Sequence, residues 1–278
     1  MEDKSMSNNP VQTFFNILLL CAYFANSYVY AEALEGQTIC ICEDAAEWPP
    51  YHYFQRTNGK KTKNIVGYGI DVLNDILSKK GIKYTIQFLP WKRCLHDVEK
   101  GDSYQMALSG TYSLERDQKY YLICWYKTTA YYFYSKKYFP EGLQIKDLSE
   151  LNKYRLGGLL GYNYKYLGEL EKKMDKGARD YDAMIEKLHR GRCHVTFEQY
   201  EIFAGFKLIG KNYLGDKDLG YAKLPGVPPN WFNIMISKKY AHSHALKKVI
   251  SEGIAELFWS GKYNTMLEKY GLLVSPMN

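Results

Sequence analysis

The run LSGTYSLER, residues 108–116, places two hydroxyls, Ser109 and Thr111, a few residues ahead of one guanidinium, Arg116. An arginine presents a planar fork of donors that meets both oxygens of a carboxylate at once, which the point charge of a lysine cannot do. The two hydroxyls are short donors that fit beside such a fork. A surface ion pair between Arg116 and Glu115 or Asp117 is the competing reading of the same residues. Other chemistry is poorly served. No Ser-His-Asp or Cys-His order is apparent, no phosphate loop occurs, and the histidines are scattered. The tightest histidine pair, His242 and His244, would face different ways on a helix, so no metal and no cofactor is expected.

Residues 108–116 need a sheet edge to carry them. QTICIC alternates as a buried strand and runs into an aromatic, proline-rich loop, EDAAEWPPYHYF. GYGIDVLNDILSKKG reads as a helix stopped by Gly81, IKYTIQFLP as a strand, WKRCLHDVEKG as a helix closed by Gly101, and YQMALSG as a strand. From Leu143 the rhythm restarts: IKDLSEL helical, YRLGGLLG a strand, YKYLGELEKKM and DAMIEKLHRG helices, CHVTFEQ a strand. The expected class is α/β, with two units, each a mainly parallel sheet flanked by helices. The tail from His244 is helical with no sheet of its own, so it must pack on a lobe already built. Ligands of such sheets bind beyond the carboxyl ends of the strands. EWPPYHY, LPWKR and SGTYSLER all follow strands, so they should converge on one cleft.

A chain of 278 residues, 46% of them hydrophobic, can bury a full core in one large domain or two lobes, which excludes disorder. The net charge of +7 favours an anionic partner, but the lysines are spread among acids and form no block suited to nucleic acid. The 27 tyrosines exceed ordinary use, and rings of that kind line sites for small polar ligands as well as filling cores. FFNILLLCAYF, residues 14–24, is too short to span a bilayer comfortably and is followed by small-residue cleavage sites at VYA and AEA. Residues 1–33 therefore read as a secretory signal peptide, with an uncleaved anchor as the alternative. Lipid attachment at Cys21 is disfavoured by the bulky Leu20 before it. Cleavage leaves Cys40, Cys42, Cys94, Cys124 and Cys193, an odd set in an oxidising compartment, so at least one thiol is free or pairs between chains. Cys40 and Cys42 share one face of the first strand and read as small hydrophobes.

From Gln37 to Gly271 the chain resembles the periplasmic solute-binding proteins of the polar amino-acid transporter type. WPPYHY resembles that family's aromatic-Pro-aromatic loop, GYGIDVLNDIL its Gly-Phe-Asp-Val-Asp helix opening, and SGTYSLER its Gly-x-Thr-x-Thr-x-Glu-Arg segment. LLGYNY is similar to its Gly-Ser-Thr loop, LHRGRCHVTFEQ to its Gly-Arg-x-Asp strand, and WSGKYNTMLEKYG to its final Gly-x-Tyr helix. The resemblance implies a two-lobed type 2 periplasmic-binding fold. Lobe 1 would hold residues 37–129 and 232–278 and lobe 2 residues 130–231, joined by two crossings near KTTAYYF and WFNIMI.

It also implies a site between the lobes. Arg116, Thr111 and Ser109 would hold a ligand's carboxylate from lobe 1. Gly161 and Asn163 would present lobe 2's anion-friendly helix start. Trp48 and Trp91 fall where relatives stack rings on the ligand's side chain, which suits a flat slot or a cation-π contact, although either ring could be core. Gln199 stands where relatives carry the aspartate for an α-amino group, so either its neighbour Glu198 takes over or the ligand lacks that group. The implied function is periplasmic capture of a small carboxylate for the permease of an ABC transporter, by a monomer with no catalytic residues. A cyclohexadienyl-dehydratase-like enzyme, with Glu198 or Glu201 as its acid, and a receptor-type sensor lobe are the alternatives on the same fold.

Overall fold

The computed structural model describes residues 33–272, so the expected signal peptide lies outside the described residues. Strand β1 (Thr38–Asp44) leads to a hairpin, β2 (Tyr53–Thr57) and β3 (Lys60–Val66), and then to helix α1 (Tyr68–Leu73), which loosens into a π turn at Asn74–Ser78. Strand β4 (Lys83–Leu89), helix α2 (Trp91–Lys100), strand β5 (Met106–Thr111), helix α3 (Leu114–Lys119) and strand β6 (Tyr120–Thr128) complete the outward path. Thr129 carries the chain into a second unit. There β7 (Ala130–Ser135), β8 (Leu156–Leu159), β9 (Asp175–Ala178), α4 (Tyr181–His189), β10 (Val195–Gln199), α5 (Tyr200–Gly205) and β11 (Leu219–Lys223) follow in turn. Residues 224–229 cross back to β12 (Asn230–Ser237), just ahead of the WFNIMI stretch. Helices α6 (Ser243–Trp259) and α7 (Lys262–Lys269) end the chain.

Two five-stranded sheets result, ordered β4-β1-β5-β12-β6 and β11-β7-β10-β8-β9. The expected parallel ladders are β1 with β4 and β5, and β8 with β9 and β10. The strands on either side of the crossings, β6 and β12 in one sheet and β7 and β11 in the other, pair antiparallel. That follows from a chain that leaves one sheet and returns to it. The parallel strands carry the loops that matter, because the carboxyl ends of β1, β5 and β10 and the loops after β4 and β8 meet between the sheets.

Composition explains most elements. In β1, Ile39 and Ile41 are fully buried among Leu108, Ile234 and Ile236, and Cys42 is fully buried among Cys94, Ala107 and Met235. Helix α6 buries Leu246, Val249, Ile250 and Leu257 on the first sheet, so the sheetless tail packs as expected. Truncating any one of these to Ala should cost about 2 to 5 kcal/mol through lost transfer energy and the cavity left behind. Gly101 ends α2 in the left-handed conformation, φ 79°, as a C-terminal glycine should.

Three local expectations change. The stretch YKYLGELEKKM forms 3-10 turns over Lys165–Lys173, because Gly168 adopts φ 59°, ψ −130° and breaks the α register. IKDLSEL likewise folds as a 3-10 turn, Leu148–Lys153, under an Asp147 cap. Cys42 is no mere hydrophobe, since it bonds to Cys94 and ties β1 to α2. Cys40, Cys124 and Cys193 stay as thiols. Among the described residues no helix is long and apolar enough to cross a membrane.

Candidate functional site

The carboxyl ends of β1 and β5, the start of α2, the loop after β8 and the end of β10 enclose a cavity of about 50 Å³ between the sheets. On the first lobe Arg116 sets the chemistry. Its Nη1 donates to Thr111 O at 2.9 Å and to Thr111 Oγ1 at 3.0 Å. The surface-pair reading fails, because Glu115 reaches Lys119 at 3.0 Å instead. Ser113 caps α3 by accepting from Arg116 N at 3.2 Å, which fixes the backbone from which the guanidinium projects. Burial lowers the Arg116 pKa, but an arginine stays charged throughout.

Ser109 belongs to a buried network behind this fork. Trp48 Nε1 donates to the Tyr126 hydroxyl at 2.9 Å, and that hydroxyl lies 2.9 Å from Ser109 Oγ. A hydroxyl that accepts from Trp48 has its own proton to give to Ser109. His52 Nε2 pairs with Glu43 Oε2 at 2.8 Å, both side chains fully buried, and Ser109 Oγ stands 3.5 Å from the same nitrogen. A histidine held by its acid through the nitrogen that faces the serine cannot also take the serine's proton, so Ser109, His52 and Glu43 are no nucleophilic triad.

The opposite chemistry comes from two buried acids. Asp44 Oδ1 accepts from Ala46 N at 3.0 Å and Oδ2 from the Tyr162 hydroxyl at 2.8 Å, yet burial pushes its pKa up to about 6. Glu198 is 3% exposed; its Oε1 accepts from Gln199 N at 2.7 Å, and its Oε2 has no hydrogen-bond partner among the described residues. Burial pushes Glu198 up to about 8. A buried carboxyl oxygen left without a donor is costly unless something completes it. Tyr181, fully buried, and Tyr162, partly buried, have their pKa values raised by desolvation and serve as neutral donors.

The lobes touch across the cavity. Asn163 Nδ2, from the second lobe, donates to Thr111 Oγ1 at 2.9 Å and to Tyr112 O at 3.2 Å, and Tyr162 reaches Asp44. At the hinge Gln199 Oε1 accepts from Thr128 Oγ1 at 2.8 Å and from Asn230 Nδ2 at 3.1 Å, one residue beside each crossing. Glu201 accepts from Thr129 N and Oγ1 at 2.8 and 2.9 Å on the reverse side of the hinge.

The family profile of bacterial extracellular solute-binding proteins, family 3, matches residues 41–272. The chain belongs to this family. Solved structures agree in fold. The amino acid ABC transporter substrate-binding protein AbpA from Streptococcus pneumoniae, bound to L-arginine, is 16% identical with a TM-score of 0.68, covering 86% of this chain and 97% of its own. The ancestral amino-acid-binding protein AncCDT-1, a precursor of cyclohexadienyl dehydratase, is 15% identical at TM-score 0.65, covering 87% and 99%. A histidine kinase sensor domain similar to periplasmic binding proteins is 17% identical at TM-score 0.67, covering 84% and 96%. No curated protein sequence matches.

In this family 3 protein, eight of the nine expected site residues line the cavity: Arg116, Thr111, Ser109, Trp48, Trp91, Asn163, Gln199 and Glu198. Gly161 does not. Its φ of 83° turns the chain beside α2, where a Cβ would lie 3.7 Å from both Trp91 Cδ1 and Lys92 Cβ. At the expected anion-friendly helix start, Asn163 Oδ1 accepts from Lys165 N at 3.0 Å. Gln199 has its acceptor occupied at the hinge, which leaves Glu198 as the acid of β10 facing the cavity. Glu201 lies outside it, so of the two acids expected for a dehydratase Glu198 alone faces the cavity. Sequence reasoning missed Asp44, Tyr162, Phe232 and the Glu43–His52 pair. The adjacent acids Glu43 and Asp44 at a strand's carboxyl end were the available signal.

Proposed function

We propose that the protein is exported to the periplasm, captures an amino acid or closely related small carboxylate in this cavity as a monomer, and delivers it to the membrane permease of an ABC transporter. One juxtaposition carries the reading: the Arg116 fork and the uncompleted Glu198 Oε2 face one cavity, so a ligand with a carboxylate at one end and an ammonium near it satisfies both. Asp44 adds a second acid and Trp48, Trp91, Tyr162 and Phe232 add aromatic walls, which favours ligands with further positive charge. The lobes that part and close are residues 37–129 with 232–278, and 130–231, because a cavity of about 50 Å³ holds only a few water-sized molecules and must open to admit more.

A thermal-shift screen of the mature protein against amino acids and small organic acids tests this. A bound ligand at about 100 times its Kd adds roughly 2.7 kcal/mol of stability. No shift with any carboxylate would refute the reading.

A second reading has one observation in its favour. Glu198, protonated up to about pH 8, has the form that a general acid needs to protonate a leaving hydroxyl. Incubation with prephenate or arogenate separates the two: aromatic product identifies an enzyme, and its absence beside a ligand-induced shift identifies a binding protein.

A further inference from the structure

Glu198 and Asp44 come from opposite lobes, yet a line of polar groups joins them. The Tyr162 hydroxyl donates to Asp44 Oδ2 and stands 3.4 Å from the Tyr181 hydroxyl, and Tyr181 faces the Glu198 carboxyl. Among the described residues, the titratable groups that interact with Glu198 are neutral or acidic: Tyr181 on α4, Tyr162, Tyr164 and Tyr166 after β8, Tyr126 on β6 and Asp44 on β1. Beside Asp44 stand Glu43, its neighbour on β1, and His52, which pairs with Glu43. Arg116 lines the same cavity but spends its Nη1 on Thr111. Among the described residues no cation bonds to Glu198, and a carboxylate so enclosed is charged only at great cost.

We propose that the protein takes up an amine-bearing ligand in exchange for a proton, with the ligand's ammonium replacing the proton held by the Glu198 end of the Asp44–Tyr162–Tyr181–Glu198 chain. The inference rests on the proposed ligand carrying an amine beside its carboxylate. In the exchange the Glu198 O–H bond breaks, the proton leaves to solvent, and an ammonium N–H donates to the carboxylate left behind. No electrons and no other atoms move. The raised pKa values agree with the direction: at pH 7 Asp44, at about 6, is mostly ionised, while Glu198, at about 8, mostly holds its proton. Apparent affinity should therefore rise about tenfold from pH 6 to pH 7 and level off above pH 8.

Isothermal calorimetry with L-arginine as the probe, at pH 7 in phosphate and in Tris, tests the exchange because the two buffers absorb protons with different heats. The expected result is a buffer-dependent enthalpy corresponding to nearly one proton released per arginine bound, falling to near zero in Glu198→Gln at higher arginine concentration. Binding with equal heats in both buffers would overturn the exchange and leave the ligand reading intact. Undiminished proton release in Glu198→Gln would overturn the assignment to Glu198. Absence of heat with arginine, together with no thermal shift for any amino acid, would overturn the ligand reading and the exchange with it.

Discussion

Asn163, on the second lobe, donates to Thr111 Oγ1 at 2.9 Å, the same oxygen that Arg116 holds at 3.0 Å. The clasp between lobes and the fork for the ligand thus share one atom. Asn163 has a second duty, capping its own turn through Oδ1 to Lys165 N. Replacing it with Asp separates the two, since a carboxylate keeps the cap and loses the donor. Asn163→Asp should leave the melting temperature nearly unchanged and weaken ligand affinity about three- to tenfold, the worth of one net hydrogen bond, chiefly through a faster off-rate. Stopped-flow dissociation beside a melting curve checks it, and an unchanged off-rate would remove Asn163 from the clasp.

Glu198 makes stability and binding pull apart. Its pKa stands at about 8 in the fold against an ordinary 4.5, so the folded chain holds the proton more tightly than the unfolded chain. Stability from this group is complete below about pH 4.5 and is lost as pH rises through 8; Asp44, raised from 3.8 to about 6, acts with the same sign over a lower window. At pH 7 the Glu198 term is on the order of 3 kcal/mol. Glu198→Gln should therefore melt higher than the wild type at pH 8, with the difference shrinking toward pH 5, while ligand affinity falls. Melting curves across that range decide it; a variant that melts lower at pH 8 would contradict the buried, proton-holding carboxyl.

The Cys42–Cys94 bond ties the strand that ends in Glu43 and Asp44 to the helix that begins with Trp91, across 52 residues of chain. Loop-closure entropy assigns about 4 kcal/mol to a link of that span. The double variant Cys42→Ala, Cys94→Ala should lose stability on that scale and, with Trp91 less firmly placed, lose affinity as well. Denaturant titration and calorimetry measure the two; full affinity in the double variant would show that α2 needs no tether to place the ring.

Much of this was legible in the chain. The period-two strands of QTICIC and IKYTIQFLP, the glycine stop at Gly101 and the hydroxyl-guanidinium run at residues 108–116 are local features, and local features fold as they read. The Asn58–Gly59 turn is an equally local hairpin signal, with both residues at positive φ in the structure. What stayed hidden depends on distant segments meeting. Glu198 looks like a neighbour of Gln199 until the hinge is built, and only then does Gln199 turn toward Thr128 and Asn230 while Glu198 faces the cavity. Tyr162 and Tyr181 were two among many tyrosines until the sheets brought them to Asp44 and Glu198. The helix expected over YKYLGELEKKM, residues 164–174, failed for a local reason, Gly168, whose conformation no other residue type adopts readily.

The central claim is that Arg116 clamps a ligand's carboxylate, and calorimetric affinity for a binding amino acid in Arg116→Ala and Arg116→Lys, beside Arg179→Ala as control, tests it most directly. Removing one partner of an enclosed, hydrogen-bonded charge pair costs about 2 to 5 kcal/mol, so Arg116→Ala should bind roughly 30-fold to several thousand-fold more weakly. Arg116→Lys, which keeps the charge but not the fork, should fall between it and the wild type, while Arg179→Ala binds as the wild type does. Wild-type affinity in Arg116→Ala would contradict the account.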